Sequence, residues 1–280
     1  MTWRIKVDHR STYTYATTAH TSYNEARVTP LTTPTQMVIE AFVDVTPPAR
    51  TRRYWDYWGS AVHAFDVHEP HEQLEVRGTS VVETLAIHTP RSTIRWDELD
   101  HEQVRDDFAE LLAPTAQVPV EARLVAVARE LAAAVDPQDA AMAAVEWVRS
   151  HLAYVPGSTG VHTSAVEAWE GGRGVCQDYA HLTLALLRAM GIPARYCSGY
   201  LHPNADASFG VEMVGESHAW IEWWGRDWYG IDPTIGWPVG ERHVLVARGR
   251  DYSDVSPIKG VYHGGPTRTL DVDVRLTRIG

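Results

Sequence analysis

One of the two cysteines in this 280-residue chain, Cys176, stands between a glycine-rich turn and an apolar run in GGRGVCQDYAHL, residues 171 to 182. Tyr179, Leu182, Leu186 and Met190 follow at three- and four-residue spacing, and MGIPAR then supplies Gly191 and Pro193. The pattern predicts a helix that begins at Cys176 and stops near Gly191. A thiol at that place lies among unpaired backbone N–H groups at the positive end of the helix dipole, which favours the thiolate, the form that attacks carbonyl carbon. Asp178, in the first turn, suits the same dipole and opposes a thiolate; acids there usually cap or charge the helix start.

A thiolate nucleophile needs a base and a group to orient that base. ARYCSGYL, SHAWIEWW and DWYGIDPT each alternate as strands, with His218 opening the second and Asp232 closing the third. If those two strands pair antiparallel across the WWGRDW turn, the start of one meets the end of the next. His218 and Asp232 then adjoin, and a helix N-terminus packed on the hairpin completes a Cys, His, Asp arrangement. The histidine takes the thiol proton and the carboxylate fixes the imidazole tautomer. Singly, each residue has a plainer explanation: a small buried hydrophobe, one of 14 histidines, a turn-forming Asp before Pro. Their order in adjacent elements is what favours catalysis.

Other constellations weigh less. Gly171, Gly172 and Gly174 have no following Lys-Ser/Thr and no G-x-G-x-x-G, so a nucleotide loop is not expected. His63, His68 and His71 in VHAFDVHEPHEQL lack a fixed ligand spacing, and no metal is assigned. His181 points away from the Cys176 face, five residues on, and is read as structural. Cys197, alternating on a strand, is read as a buried inert thiol. RGRDYSD reads as a salt-linked turn, and the tryptophans of SHAWIEWWGRDW as core, one of them able to wall the cleft and exclude water.

The elements that must position these residues change character near residue 95. Before it, WRIKV, MVIEAFVDV, AVHAFDV and QLEVRGTSVVETL alternate as strands between turn residues. After it, Leu124, Val127, Ala128, Leu131 and Val135 share a helical face. Asp136 and Pro137 then read as N-cap and first residue of a second helix carrying Ala141, Val145, Val148 and Leu152. A β-rich N-terminal domain over 1–95 and a catalytic domain over 96–280 are expected, an α+β chain with the Cys-initiated helix on an antiparallel sheet. The net charge of −11 disfavours a nucleic-acid partner, which needs a basic surface. No apolar window approaches about eighteen residues and no signal-like start is visible, so neither a membrane partner nor export is expected and a cytoplasmic location is the default. In a reducing compartment two cysteines are not expected to pair. Nothing in the sequence fixes an oligomeric state.

GRGVCQDYAHLTLALLRAMGIPARYCSGYL, ESHAWIEWW and WYGIDPTIGWP together resemble the motifs of the transglutaminase-like superfamily, a papain-like cysteine fold. HEQLEVRGTSVVE and VARGRDYSDVSPIKGVYHGG extend the resemblance, over nearly the whole chain, to a bacterial branch with its own N-terminal region. The resemblance implies a nucleophile, base and orienting acid at Cys176, His218 and Asp232. It implies acyl transfer through a thioester, with a peptide or protein amide as substrate and no cofactor; the calcium-binding acidic loops of the animal enzymes have no counterpart here. Water as acceptor makes a peptidase or amidase, the favoured expectation. An amine acceptor makes a protein-glutamine transglutaminase, and a non-catalytic peptide-binding module is the remaining alternative. The Cys176 N–H is the natural first oxyanion donor, and the Tyr154 side chain in LAYVPGST a possible second.

Overall fold

A computed structural model describes residues 2–86 and 90–280. Six strands come first: β1 (Thr2–Ala19), β2 (Thr21–Ala26), β3 (Gln36–Thr46), β4 (Arg52–Trp55), β5 (Ala61–Val67) and β6 (His71–Leu85). Short helices α1 (Trp96–Leu99), α2 (Glu102–Asp107) and α3 (Ala109–Leu112) lead to α4 (Ala122–Ala132) and α5 (Pro137–His151). Then follow β7 (Ala153–Tyr154), α6 (Ala165–Gly171), β8 (Arg173–Gly174), α7 (Cys176–Ala189), β9 (Ala194–Leu201), β10 (Glu212–Gly215), β11 (Ser217–Trp224) and β12 (Trp228–Asp232). The chain closes with β13 (Trp237–Pro238), β14 (His243–Gly249), α8 (Tyr252–Val255), β15 (Ile258–His263) and β16 (Thr267–Arg278). The α+β class and the sheet-rich first part match the expectation from sequence.

Alternation sets the first sheet. Trp3, Ile5, Val7 and His9 of β1 are buried while Arg4, Lys6 and Arg10 face out, a period of two that one buried sheet face requires. The strand order is β10-β16-β1-β6-β3, beside a second sheet β15-β2-β5-β4. Both N-terminal sheets also take strands from beyond the boundary expected at residue 95. β16 runs antiparallel to β1 from Ile5↔Arg278 to Tyr15↔Thr267, β10 extends β16, and β15 pairs with β2. Three segments beyond residue 96 therefore complete the N-terminal sheets, because without β16 the long β1 would be an open edge. The main core also crosses the boundary, joining Trp3, Ile5, Val7 and Val82 to the leucines of α7.

The third sheet, ordered β13-β12-β11-β9-β14, supports the site. One face packs on α7, whose other sides meet α4, α5 and α6. Every residue from Gln177 to Arg188 is buried, so α7 is a central helix rather than the one-faced helix its spacing predicts. Truncating one of its core leucines, such as Leu186→Ala, costs about 2–5 kcal/mol. Around it the helix starts follow the sequence: the Asp136 carboxylate accepts the Asp139 N–H at 2.9 Å, with Pro137 in the first turn. Val135 differs from expectation, because α4 ends at Ala132 and leaves it exposed. No helix among the described residues is long and apolar enough to cross a membrane.

Candidate active site

The turn before α7 is built to deliver Cys176. Gly172 closes α6 at φ +63°, a left-handed position that glycine takes without strain. A Cβ on Gly174 would come within 2.6 Å of the Asp178 Cβ, so only glycine lets the chain pass over the helix start. The three glycines thus shape a turn. Asp178 accepts the Val175 N–H at 2.8 Å and the Thr159 hydroxyl at 2.6 Å, tying the loop around Thr159 to the first turn of α7. Burial raises its pKa against the pull of those two bonds. Cys176 is the first residue of α7, half-buried, and its N–H has no intrahelical acceptor.

The β11–β12 hairpin pairs Ile221↔Ile231, Glu222↔Gly230 and Trp224↔Trp228, as the alternation predicts. His218 and Asp232 meet at its open end, with His218 Nε2 at 2.6 Å from Asp232 Oδ2. Asp232 is fully buried, and its Oδ1 accepts the Thr234 N–H at 2.9 Å. A second histidine, which sequence reasoning missed, completes the carboxylate's shell: His243 Nε2 lies 3.2 Å from the same Oδ2. The Gly240 N–H donates to His243 Nδ1 at 3.2 Å, which places the His243 proton on Nε2 and makes that ring a donor to Asp232. His243 opens β14, a run of buried Val and Leu residues, and a histidine beginning such a run was the available signal.

The two rings titrate in opposite directions. Burial opposes charge on His218, but the bonds and charges of Asp232 and Cys176 outweigh it and raise its pKa to about 10. Burial also opposes ionisation of Asp232, and the bonds from His218 and His243 overcome it, holding the carboxyl well below the usual carboxylate range. For His243 burial wins and lowers the pKa, so that ring stays neutral. The site therefore holds an imidazolium on a carboxylate at neutral pH, with Nδ1 of His218 as the nitrogen left for Cys176. The same three residues bring their ligand-type atoms within 4.8 Å of one another. A cation on His243 Nε2 would require the ring proton on Nδ1, where Gly240 already donates, so the arrangement suits proton transfer better than metal ligation.

Other residues singled out from sequence fall elsewhere. His63, His68 and His71 bond separately to Thr29 Oγ1 at 3.0 Å, Asp66 at 2.7 Å and the Glu69 carbonyl at 2.7 Å. His181 is buried in α7, accepts the Tyr252 N–H at 3.2 Å, and burial lowers its pKa to about 3. Arg250 and Asp254 form the salt link expected in RGRDYSD, at 2.9 Å. Cys197 is fully buried, which pushes its thiol pKa well up. Tyr154 is brought near the nucleophile because β7 pairs Tyr154↔Gly174. Burial first, then the negative charges of Cys176, Glu216 and Asp232, raise its phenol to about 12, so it remains a donor.

Comparison with known proteins identifies the family and the fold. Residues 125–233 match the transglutaminase-like superfamily model, and residues 5–83 match the bacterial transglutaminase-like N-terminal region. An uncharacterised protein of Mycobacterium leprae (strain TN) is 48% identical over 277 residues, covering 99% of each chain. A 65-residue stretch, 22% of this chain and 10% of the other, is 37% identical to a protein-glutamine gamma-glutamyltransferase of Pseudomonas aeruginosa. The crystal structure of a candidate cysteine protease from Cytophaga hutchinsonii superposes with a TM-score of 0.74 at 22% identity, covering 99% of this chain and 100% of that one. With family models on both parts and a full-length relative at that identity, this chain belongs to the transglutaminase-like superfamily, in the bacterial branch with its own N-terminal region.

Proposed function

We propose that this protein is a cysteine-dependent hydrolase of amide or peptide bonds that works through an acyl-enzyme thioester. The observation that carries the reading is the His218–Asp232 bond at 2.6 Å, beside a cysteine that starts a buried helix. Cys176 Sγ attacks the carbonyl carbon, and the oxyanion forms near the Cys176 N–H and the Tyr154 hydroxyl. The C–N bond breaks as His218 passes its Nδ1 proton to the leaving amine. Water then adds to the thioester, losing its proton to Nδ1; the acid departs and the thiolate–imidazolium pair is restored. Asp232 keeps Nε2 occupied throughout, so the proton moves at one nitrogen only. The substrate is a peptide or protein amide, and a cytoplasmic location is retained as part of this proposal.

Hydrolysis is favoured over amine transfer because the surroundings of the site are open. Tyr154 is 43% exposed and Trp237, paired with Asp232, is 70% exposed. A cross-linking enzyme must keep water at about 55 M from the thioester while admitting a far scarcer amine, which calls for closed, dry walls. Mass spectrometry of the products from an activated amide substrate, with millimolar amine present, tests this. The free acid should dominate. Amine-coupled product in excess would instead favour transfer, the activity named for the Pseudomonas aeruginosa relative. Absence of any acyl transfer across a broad panel would favour a peptide-binding module.

A further inference from the structure

The sheet face that carries His218 also carries a second, mostly buried carboxylate between two basic side chains. Glu222, on β11, accepts from Arg195 Nε at 2.7 Å and from Arg248 Nε and Nη2 at 2.9 and 3.1 Å. Two arginines against one carboxylate leave the cluster at one net positive charge. Among the described residues no other carboxylate pairs with either arginine; Asp227 lies exposed at the rim. The guanidinium of Arg195 sits over Trp228, its Cζ 3.7 Å from the centroid of that ring. In each arginine Nη1 is not used by Glu222. Arg248 stands opposite Cys197 in the pairing of β14 with β9.

This cluster lines a cavity of about 670 Å³ between the loop Thr33–Gln36 of the β-rich region and the third sheet. Trp220, Trp223, Trp228, Tyr229, Leu245 and Met142 supply apolar walls. Cys176, His218 and Asp232 are not among the lining residues, so the space is distinct from the acyl-transfer cleft, although His243 borders both. One positive charge of the cluster has no carboxylate partner, each arginine keeps about a fifth of its side chain open on the cavity side of the sheet, and guanidinium edges match carboxylates in shape and charge. The volume falls in the range of small-molecule sites, about 300–1,000 Å³.

We infer that this cavity is a second ligand site, for a small organic carboxylate whose acid group meets Arg195 and Arg248 and whose apolar body lies against the tryptophans. The inference goes beyond the acyl-transfer reading and stands apart from it. Its test uses full-length protein with Cys176 carbamidomethylated, so that the catalytic cleft is blocked. Titration calorimetry with 3-phenylpropionate is compared with 3-phenylpropionamide, which differs only in charge. The acid should bind saturably and the amide about 10-fold or more weaker, the worth of a charge-assisted pair. Arg248→Gln should weaken the acid by a similar factor. Arg248→Lys keeps a charge beside Glu222, protecting the fold, and should still lose binding because the fork geometry is gone. Equal binding of acid and amide, no saturation by about 10 mM, or unchanged binding in both folded arginine variants would overturn the site.

Discussion

One sheet face holds two clusters of the same formal design. At one end Asp232 is held by His218 and His243, with Cys176 at the start of the adjoining helix; at the other Glu222 is held by Arg195 and Arg248, with Cys197 opposite Arg248 in the strand register. Each sets a carboxylate between two basic groups near a thiol, Asp232 fully buried and Glu222 mostly so. The difference is in what can move. An arginine keeps its proton throughout the physiological range, so the Glu222 cluster can attract charge but cannot relay a proton. The Asp232 cluster uses imidazoles and sorts them, one charged and one neutral. The thiols differ in the same sense: Cys197 is sealed in the core, whereas Cys176 is half-buried at a helix start. Ion pairing is therefore shared, and proton mobility together with access of the thiol assigns chemistry to one end.

That contrast can be broken most strongly at the Asp232 end. Cys176→Ala should abolish turnover, and Asp232→Asn should lower it by about 10³–10⁴ while leaving the fold intact, since the amide can favour the wrong imidazole tautomer. Steady-state assays with circular dichroism as the fold control check both. A fully active Asp232→Asn protein would remove that residue from the machinery. Next comes the division of the chain. Deleting residues 1–95 strips β16, β10 and β15 of their partners and splits the main core, so residues 96–280 should fail to fold, seen as loss of a cooperative melt. A cooperative, thiol-reactive fragment would support an independent domain from residue 96.

Smaller effects sharpen the comparison. Glu222→Gln leaves Arg195 and Arg248, each about one-fifth exposed, without their carboxylate and should cost about 1–3 kcal/mol in denaturant unfolding, with activity per folded molecule retained. His243→Gln keeps a donor toward Asp232 and should cost turnover about 10-fold or less. Its more specific mark is an altered titration of the His218 ring by NMR. The pH dependence of stability has a definite sign. His218 has a folded pKa raised from 6.5 to about 10, so its contribution is full below pH 6.5 and fades as pH rises toward 10. Asp232 has a lowered folded pKa, so its contribution is present above 3.8 and lost as pH falls further. The stability lost in His218→Gln should therefore be largest between about pH 4 and 6.5 and shrink toward pH 10. A constant difference across that range would show that the pair does not ionise as described.

What the sequence disclosed was local. Helix spacing after Cys176 and the alternation of two strands around a short turn were enough to place Cys176, His218 and Asp232 in adjacent elements, because hairpin pairing is fixed by the turn. His243 escaped because its strand joins β9 rather than the hairpin, and nothing local says that its ring reaches Asp232. The pairing of β16 with β1 escaped for the same reason. TLDVDVRL alternates clearly enough to be a strand, but alternation names a buried face and not a partner some 260 residues away. The Arg195–Glu222–Arg248 cluster also needs three strands in register before its charges meet.

The central claim is that His218 activates Cys176, and the rate of Cys176 alkylation measures it most directly. Intact-mass kinetics with iodoacetamide at pH 6 should give a wild-type rate about 10–100-fold above that of folded His218→Ala, with Cys197 unlabelled in both. Equal Cys176 rates in the two proteins, or labelling of Cys197 as fast as Cys176 in the folded chain, would contradict it.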